Sequence, residues 1–231
     1  MLQQPLPLYK TADKTFEDFV VGPNQNALDT VTRWSQASGP WFVLLWGKFG
    51  VGKSHLMQAA LGNYAHRGDS MMYLPMNLLL EMGADVIKEL DAVKAVGIDD
   101  IDLACLNRGW ETGLFALFNA LHDNGGRLLV TCTTNPRFTT FALPDLQSRL
   151  CSGLTYQLAD LDDERKQQYL LARARRSDIE LSQNVAEYIV TRHGRNLHDL
   201  SALFEKLDEA ALREGRTFTV PFVKEVVEQS E

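Results

Sequence analysis

Apolar runs of strand length recur through the first two thirds of the chain, and stretches with helical spacing separate them. The pattern predicts strands over 41–46, 71–75, 94–99, 127–132 and 154–158. It predicts helices over 25–37, 54–66, 76–90, 110–123 and 145–150. Strand–helix alternation of this kind builds a parallel sheet covered on both faces. The run Arg127-Leu128-Leu129-Val130-Thr131-Cys132 lacks the polar alternation of a half-exposed strand and suits a position buried on both sides. After residue 160 the strand signals stop. Residues 162–176, 182–193, 196–213 and 220–229 carry helical periodicity, with Leu200, Leu203, Phe204 and Leu207 on one face. Thr219 reads as an N-cap and Pro221 sits in the first turn, where its missing N–H costs little. The chain thus divides near Asp160 into an α/β core and a small all-helical domain.

Composition narrows the class. At 231 residues with 45% hydrophobic content, the chain can bury a large core. No apolar run reaches membrane-spanning length, and the first residues lack the basic and apolar regions of a secretory signal. Cys105, Cys132 and Cys151 are an odd count without metal-ligand spacing, so reduced thiols in the cytoplasm are expected. His193 and His198 are wrongly spaced to share a helical ligand face. The formal net charge is −7, which disfavours tight DNA binding by the protein's own field. The basic stretch from Arg165 to Arg176 reads as the solvated face of a helix.

Candidate chemistry begins at Gly47-Lys48-Phe49-Gly50-Val51-Gly52-Lys53-Ser54, the pattern G-x-x-x-x-G-K-[ST] between a predicted strand and a predicted helix. In that context the run is a P-loop. Gly47, Gly50 and Gly52 let backbone N–H groups wrap a phosphate, and the helix N-terminus adds its positive dipole end. Lys53 is expected to reach the β- and γ-phosphates, and the Ser54 hydroxyl to ligate Mg²⁺. His55 follows in the same nucleotide-binding set. The expected ligand is a nucleoside di- or triphosphate.

The strand 94–99 ends in Asp99-Asp100, a Walker B arrangement. Asp99 is assigned to Mg²⁺ through water, and Asp100 to orienting or deprotonating the attacking water. At the polar end of strand 127–132, Thr133 is the candidate sensor of the γ-phosphate, while Asn135 before Pro136 reads as a turn residue. Arg149 follows in Leu143-Pro144-Asp145-Leu146-Gln147-Ser148-Arg149-Leu150. Its spacing fits either a structural salt-bridge partner or an arginine finger acting on a neighbour's nucleotide, an effect worth about 10³–10⁵ in rate.

With these motifs assembled, the chain resembles the AAA+ ATPases of bacterial replication initiation, the DnaA branch and its Hda-type regulators. Thr15-Phe16-Glu17-Asp18-Phe19-Val20-Val21-Gly22-Pro23 is similar to the segment that covers the adenine, which places Val20 and Val21 at the base. Leu117-Phe118-Asn119-Ala120-Leu121-His122 and Asp145-Leu146-Gln147-Ser148-Arg149-Leu150 also resemble DnaA segments. The resemblance implies a P-loop AAA+ core with a five-stranded parallel sheet over residues 13–160 and a helical lid over 161–231. On this resemblance no counterpart of the initiator's C-terminal helix-turn-helix domain is expected.

Residues 1–12 contain Gln3-Gln4-Pro5-Leu6-Pro7-Leu8-Tyr9, similar to the sliding-clamp-binding peptide of Hda-type regulators. Gln3 is then the anchor on the clamp surface, and Leu6 and Leu8 fill its apolar pocket. Pro5 and Pro7 preset an extended conformation, which lowers the entropy lost on binding. The resemblance implies a negative regulator that meets DnaA on the DNA-loaded clamp and promotes hydrolysis of DnaA's ATP through Arg149. Its own ATPase activity is then weak, and its contact with DNA and the nucleoid indirect. In the lid, Gly194-Arg195-Asn196-Leu197-His198-Asp199-Leu200 matches the sensor 2 motif but carries His198 where the family has arginine. A shorter imidazole replaces a fixed guanidinium poorly, and Arg195 is the candidate substitute. The alternative is a self-assembling AAA+ ATPase of helicase-loader type, a homodimer or larger, in which Arg149 completes an identical neighbour's site.

Overall fold

The apolar runs become five parallel strands in a computed structural model of the chain, which describes residues 14–88, 90–194 and 196–229. The strands are β1 (Phe42–Trp46), β2 (Met71–Pro75), β3 (Ala95–Asp99), β4 (Arg127–Cys132) and β5 (Leu154–Gln157). Their order across the sheet is β2-β3-β4-β1-β5. Leu44 lies opposite Val130, and Ile98 lies opposite Val130 from the other side. Inner strands β1, β3 and β4 are buried on both faces, which is why they read as unbroken apolar runs. β5 forms an edge, with Leu154 and Thr155 exposed. Because β4 is inserted between β3 and β1, the C-terminal ends of all three strands emerge side by side. In open parallel sheets that is where ligands bind.

Helices α1 (Gln25–Ser35), α2 (Lys53–His66), α3 (Met76–Leu79), α4 (Arg108–Asp123) and α5 (Pro144–Leu150) complete this part of the chain. Packing of α2 on the sheet depends on Gly97 in β3. A Cβ there would stand 2.8 Å from Met57 Sδ and 2.9 Å from Leu61 Cδ1, so any larger residue would force those side chains to shift. The predicted helix 76–90 is corrected: α3 stops at Leu79, and short 3₁₀ turns follow at Leu80–Met82, Ala84–Ile87 and Leu90–Ala92. Gly83 at φ 81° and ψ 156° breaks the run. The carbonyl of Leu80, freed by the break, accepts the Trp110 indole N–H at 3.2 Å.

The described residues group into two compact units. One consists of residues 14–48 and Lys53–Leu158; the other consists of Phe49–Gly52 and the residues from Ala159 onward. The second unit holds α6 (Asp163–Arg176), α7 (Gln183–His193), α8 (Leu197–Glu214) and α9 (Val220–Glu228). Leu170, Ile189, Leu200, Phe204, Leu207 and Phe222 are buried at its centre. Thr219 caps α9 as its sequence position predicts, its hydroxyl accepting the Phe222 N–H at 3.3 Å. The stretch from Arg165 to Arg176 is not simply a solvated face. Lys166 is buried and pairs with Asp160 at 3.3 Å, and Arg173 bonds Glu205 at 2.8 Å while lying over the Phe204 ring. No helix among the described residues is long and apolar enough to cross a membrane.

Candidate nucleotide-binding site

The loop between β1 and α2 takes backbone conformations that favour glycine. Gly47, Gly50 and Gly52 have φ of 154°, 81° and 98°. The Gly47 N–H donates to Cys132 O at 3.2 Å, which ties the start of the loop to β4. Lys53 opens α2 and is only 6% exposed. Its Nζ donates to Gly47 O at 2.8 Å and to Lys48 O at 3.1 Å. Its hydrogen-bond partners are thus neutral carbonyls, and no carboxylate forms a salt bridge with it among the described residues. A buried ammonium with no directly paired carboxylate is costly, and an incoming anion relieves that cost. The next side chain, Ser54, is half-buried, and its hydroxyl makes no hydrogen bond among the described residues. These features fit a phosphate at the loop and a cation beside it.

The two acids after β3 are held differently. Asp99 is buried, and both of its oxygens accept hydroxyl donors. Thr131 Oγ1 donates to Oδ1, and the Tyr73 hydroxyl donates to Oδ2 at 2.6 Å. Each oxygen keeps a second lone pair, so the carboxylate remains able to bind water on a metal. Asp100 is left-handed, with φ 53° and ψ 54°, a conformation Asp tolerates better than most residues. Its N–H donates to Thr131 Oγ1 at 2.9 Å. Burial holds the Asp100 carboxyl above the usual carboxylate range, the charges of Asp99 and Asp102 add to the effect, and Lys53 opposes it. A carboxylate made more basic in this way suits proton acceptance. Burial, and then Asp99, likewise push the Tyr73 phenol upward.

Thr133, the candidate sensor, lies exposed just past β4, and its N–H donates to Asp102 Oδ2 at 2.9 Å. Asp102 Oδ1 is buried and has no hydrogen-bond partner among the described residues. The residue that touches both acids is Thr131, two positions earlier. A hydroxyl inside an apolar strand, beside a strand ending in acids, is the signal that marks it.

His55 Nε2 lies 2.8 Å from Thr15 O, and its ring stands 5.8 Å from that of Phe19. A carbonyl only accepts, so Nε2 carries the proton. Burial lowers the pKa of the imidazole and favours its neutral form. The first turn of α2 therefore fastens the segment that carries Val20 and Val21, both half-buried.

Arg149 stands exposed near the end of α5, with its guanidinium 5.8 Å from the centre of the Phe118 ring. No carboxylate pairs with it among the described residues, so the salt-bridge reading has no partner there. Two contacts set its helix in place. Gln147 Nε2 donates to Pro136 O at 2.8 Å and to Thr139 O at 3.0 Å. The second brace is Glu111, fully buried in the first turn of α4. Its Oε1 accepts the N–H of Leu106 at 2.7 Å and of Ala142 at 3.0 Å, and its Oε2 accepts that of Leu143 at 2.5 Å. The sequence reading missed Glu111, although an acid aligned with Leu114 and Phe118 on an apolar stripe is a visible anomaly.

His198 is exposed in the first turn of α8. Arg195, Gln3, Leu6 and Leu8 lie outside the described residues.

Residues 11–158 match the family of the bacterial DnaA ATPase domain, and residues 163–227 match the Hda lid domain. Domain III of the Thermotoga maritima replication initiation protein DnaA superposes with a TM-score of 0.82 at 25% identity, over 94% of this chain and 97% of that one. AMPPCP-bound DnaA from Aquifex aeolicus gives 0.73 at 20% identity, over 85% and 65%. The Thermotoga maritima RuvB Holliday junction branch migration motor gives 0.71 at 18% identity, over 94% and 72%. The last two share the fold. The P-loop, the paired acids and the helical second unit are thus matched along nearly the whole chain, which belongs to the bacterial DnaA ATPase-domain family as a DnaA-related, Hda-like AAA+ protein.

Proposed function

We propose that this protein is a negative regulator of replication initiation: a nucleotide-bound AAA+ protein that binds the sliding clamp and stimulates ATP hydrolysis on DnaA. The observation that carries the reading is Arg149, exposed on a braced helix with no carboxylate partner among the described residues. A guanidinium that neutralises nothing at home is available to charge developing on a neighbour's phosphates. In this reading ADP or ATP sits on the loop of Gly47, Gly50 and Gly52, held by Lys53, with His55, Val20 and Val21 framing the base. Ser54 and Asp99 hold Mg²⁺, which neutralises phosphate charge when bound. Asp100 accepts a proton from water, and Thr133 sits at the γ-phosphate end. The family resemblance assigns His198 and Arg195 of the lid to nucleotide binding as well. Gln3, Leu6 and Leu8 attach the tail to the clamp, which places the protein at the nucleoid in the cytoplasm and keeps its contact with DNA indirect.

The test is conversion of labelled ATP to ADP on DnaA, with and without DNA-loaded clamp and this protein. Hydrolysis is expected to require both. Arg149→Ala is expected to lose at least about 10³-fold of the stimulation while its own nucleotide binding stays intact. Equal activity of variant and wild type refutes the finger. No stimulation by folded, nucleotide-bound wild type favours the helicase-loader alternative, in which Lys53 and Asp100 turn over ATP in the chain's own site.

A further inference from the structure

The geometry points to Tyr73 as a positioning residue for the metal carboxylate Asp99, a role that rests on the nucleotide–Mg²⁺ reading of the site. Tyr73 and Pro75 share one face of β2, as Gly97 and Asp99 share one face of β3. In the sheet register Tyr73 lies opposite Gly97 and Pro75 opposite Asp99. The Tyr73 hydroxyl therefore reaches diagonally across the strands to Oδ2 of Asp99, at 2.6 Å. Gly97 makes this possible by admitting α2 against the sheet. From α2, Gln58 Nε2 donates to the Tyr73 hydroxyl at 3.3 Å. The phenol oxygen thus accepts one hydrogen bond from the P-loop helix and donates one to the carboxylate. On the far side Thr131 donates to Oδ1. A carboxylate gripped at both oxygens cannot rotate, and its remaining lone pairs are fixed in direction. In that reading Asp99 holds the metal through water, so Tyr73 stands one hydrogen bond further out than a ligand's direct partner. Removing a direct partner typically changes metal affinity by about 10–100-fold, and the effect expected here is at the low end of that range.

Tyr73→Phe deletes one oxygen and leaves the ring packed. The experiment measures the affinity of fluorescently labelled ADP for the full chain, in Mg²⁺ and in EDTA, with a thermal melt in EDTA as a check on folding. Wild type is expected to bind more tightly in Mg²⁺. The variant is expected to lose about tenfold of that Mg²⁺-dependent tightening and to keep its affinity in EDTA. Thr131→Val removes the other donor and is expected to show the same signature, which covers the case of a poorly folded Tyr73 variant. An equal loss in both buffers makes Tyr73 merely structural and overturns the proposal. Unchanged Mg²⁺ dependence overturns it as well. Failure of wild type to bind nucleotide at all refutes the underlying site reading instead.

Discussion

Replacing Glu111 by Gln tests whether one buried carboxylate holds the base of the Arg149 helix. The side chain accepts three backbone N–H groups, from Leu106, Ala142 and Leu143. A glutamine carbonyl can replace Oε1, which accepts two of them. Its NH₂ group must then face the Leu143 N–H, donor against donor. The variant loses one charge-assisted bond and leaves one buried N–H unpaired, a cost of about 2–3 kcal/mol. At roughly 2–4 °C per kcal/mol for a chain of this size, melting should fall by about 4–12 °C. Glu111→Ala strips all three acceptors and should cost about 4 kcal/mol or more. Urea unfolding followed by tryptophan fluorescence isolates the relevant unit. All 4 tryptophans (Trp34, Trp41, Trp46 and Trp110) lie in the α/β unit, so the signal excludes the helical one. A Gln variant within about 0.5 kcal/mol of wild type, the ordinary scatter of surface substitutions, would refute the reasoning.

Gly97→Ala should destabilise the same unit by about 1–3 kcal/mol, because the new methyl meets Met57 Sδ and Leu61 Cδ1 at under 3.0 Å. Urea titration with the same fluorescence signal reads it, and an unchanged midpoint would mean that α2 can back away freely. Cys105 should resist alkylation at about pH 8: burial, then the charges of Asp102 and Glu111, push its thiol up to about 11. Since the thiolate is the reactive form, modification of the Cys105 peptide, read by mass spectrometry, should accelerate only as pH climbs toward that value. A rate already at its plateau in mildly alkaline buffer would contradict the burial argument.

The sheet was legible because inner parallel strands have no solvent face, so β1, β3 and β4 are plain apolar runs. The P-loop and the paired acids were legible because their chemistry is local in sequence. The stretch 76–90 was misread because apolar spacing also fits a series of 3₁₀ turns, and Gly83 at positive φ decides between them. Lys166 and Arg173 were misread because their counter-charges, Asp160 and Glu205, come from other elements. Tyr73, Thr131 and Glu111 were missed for the same reason: each gains its role through register or through a distant loop. The hydroxyl in an apolar strand and the acid on an apolar stripe mark Thr131 and Glu111 as unusual but do not name their partners. Tyr73 is a good strand former anywhere, and only its pairing with Gly97 brings it to Asp99.

The unequal treatment of the two acids has a physical consequence. Asp99 and Asp100 are adjacent in sequence and share one partner, Thr131, whose hydroxyl donates to the first carboxylate and accepts from the backbone of the second. Asp99 accepts a hydroxyl donor at each of its oxygens. The Asp100 carboxyl accepts none among the described residues, while burial and two neighbouring negative charges act against its ionisation. Asp99 is therefore fixed in direction by a donor at each oxygen, which suits the proposed cation holder. Asp100 is more basic and less constrained, which suits the proposed proton acceptor. The left-handed turn at Asp100 is what separates them, because it takes the second acid out of the strand that buries the first.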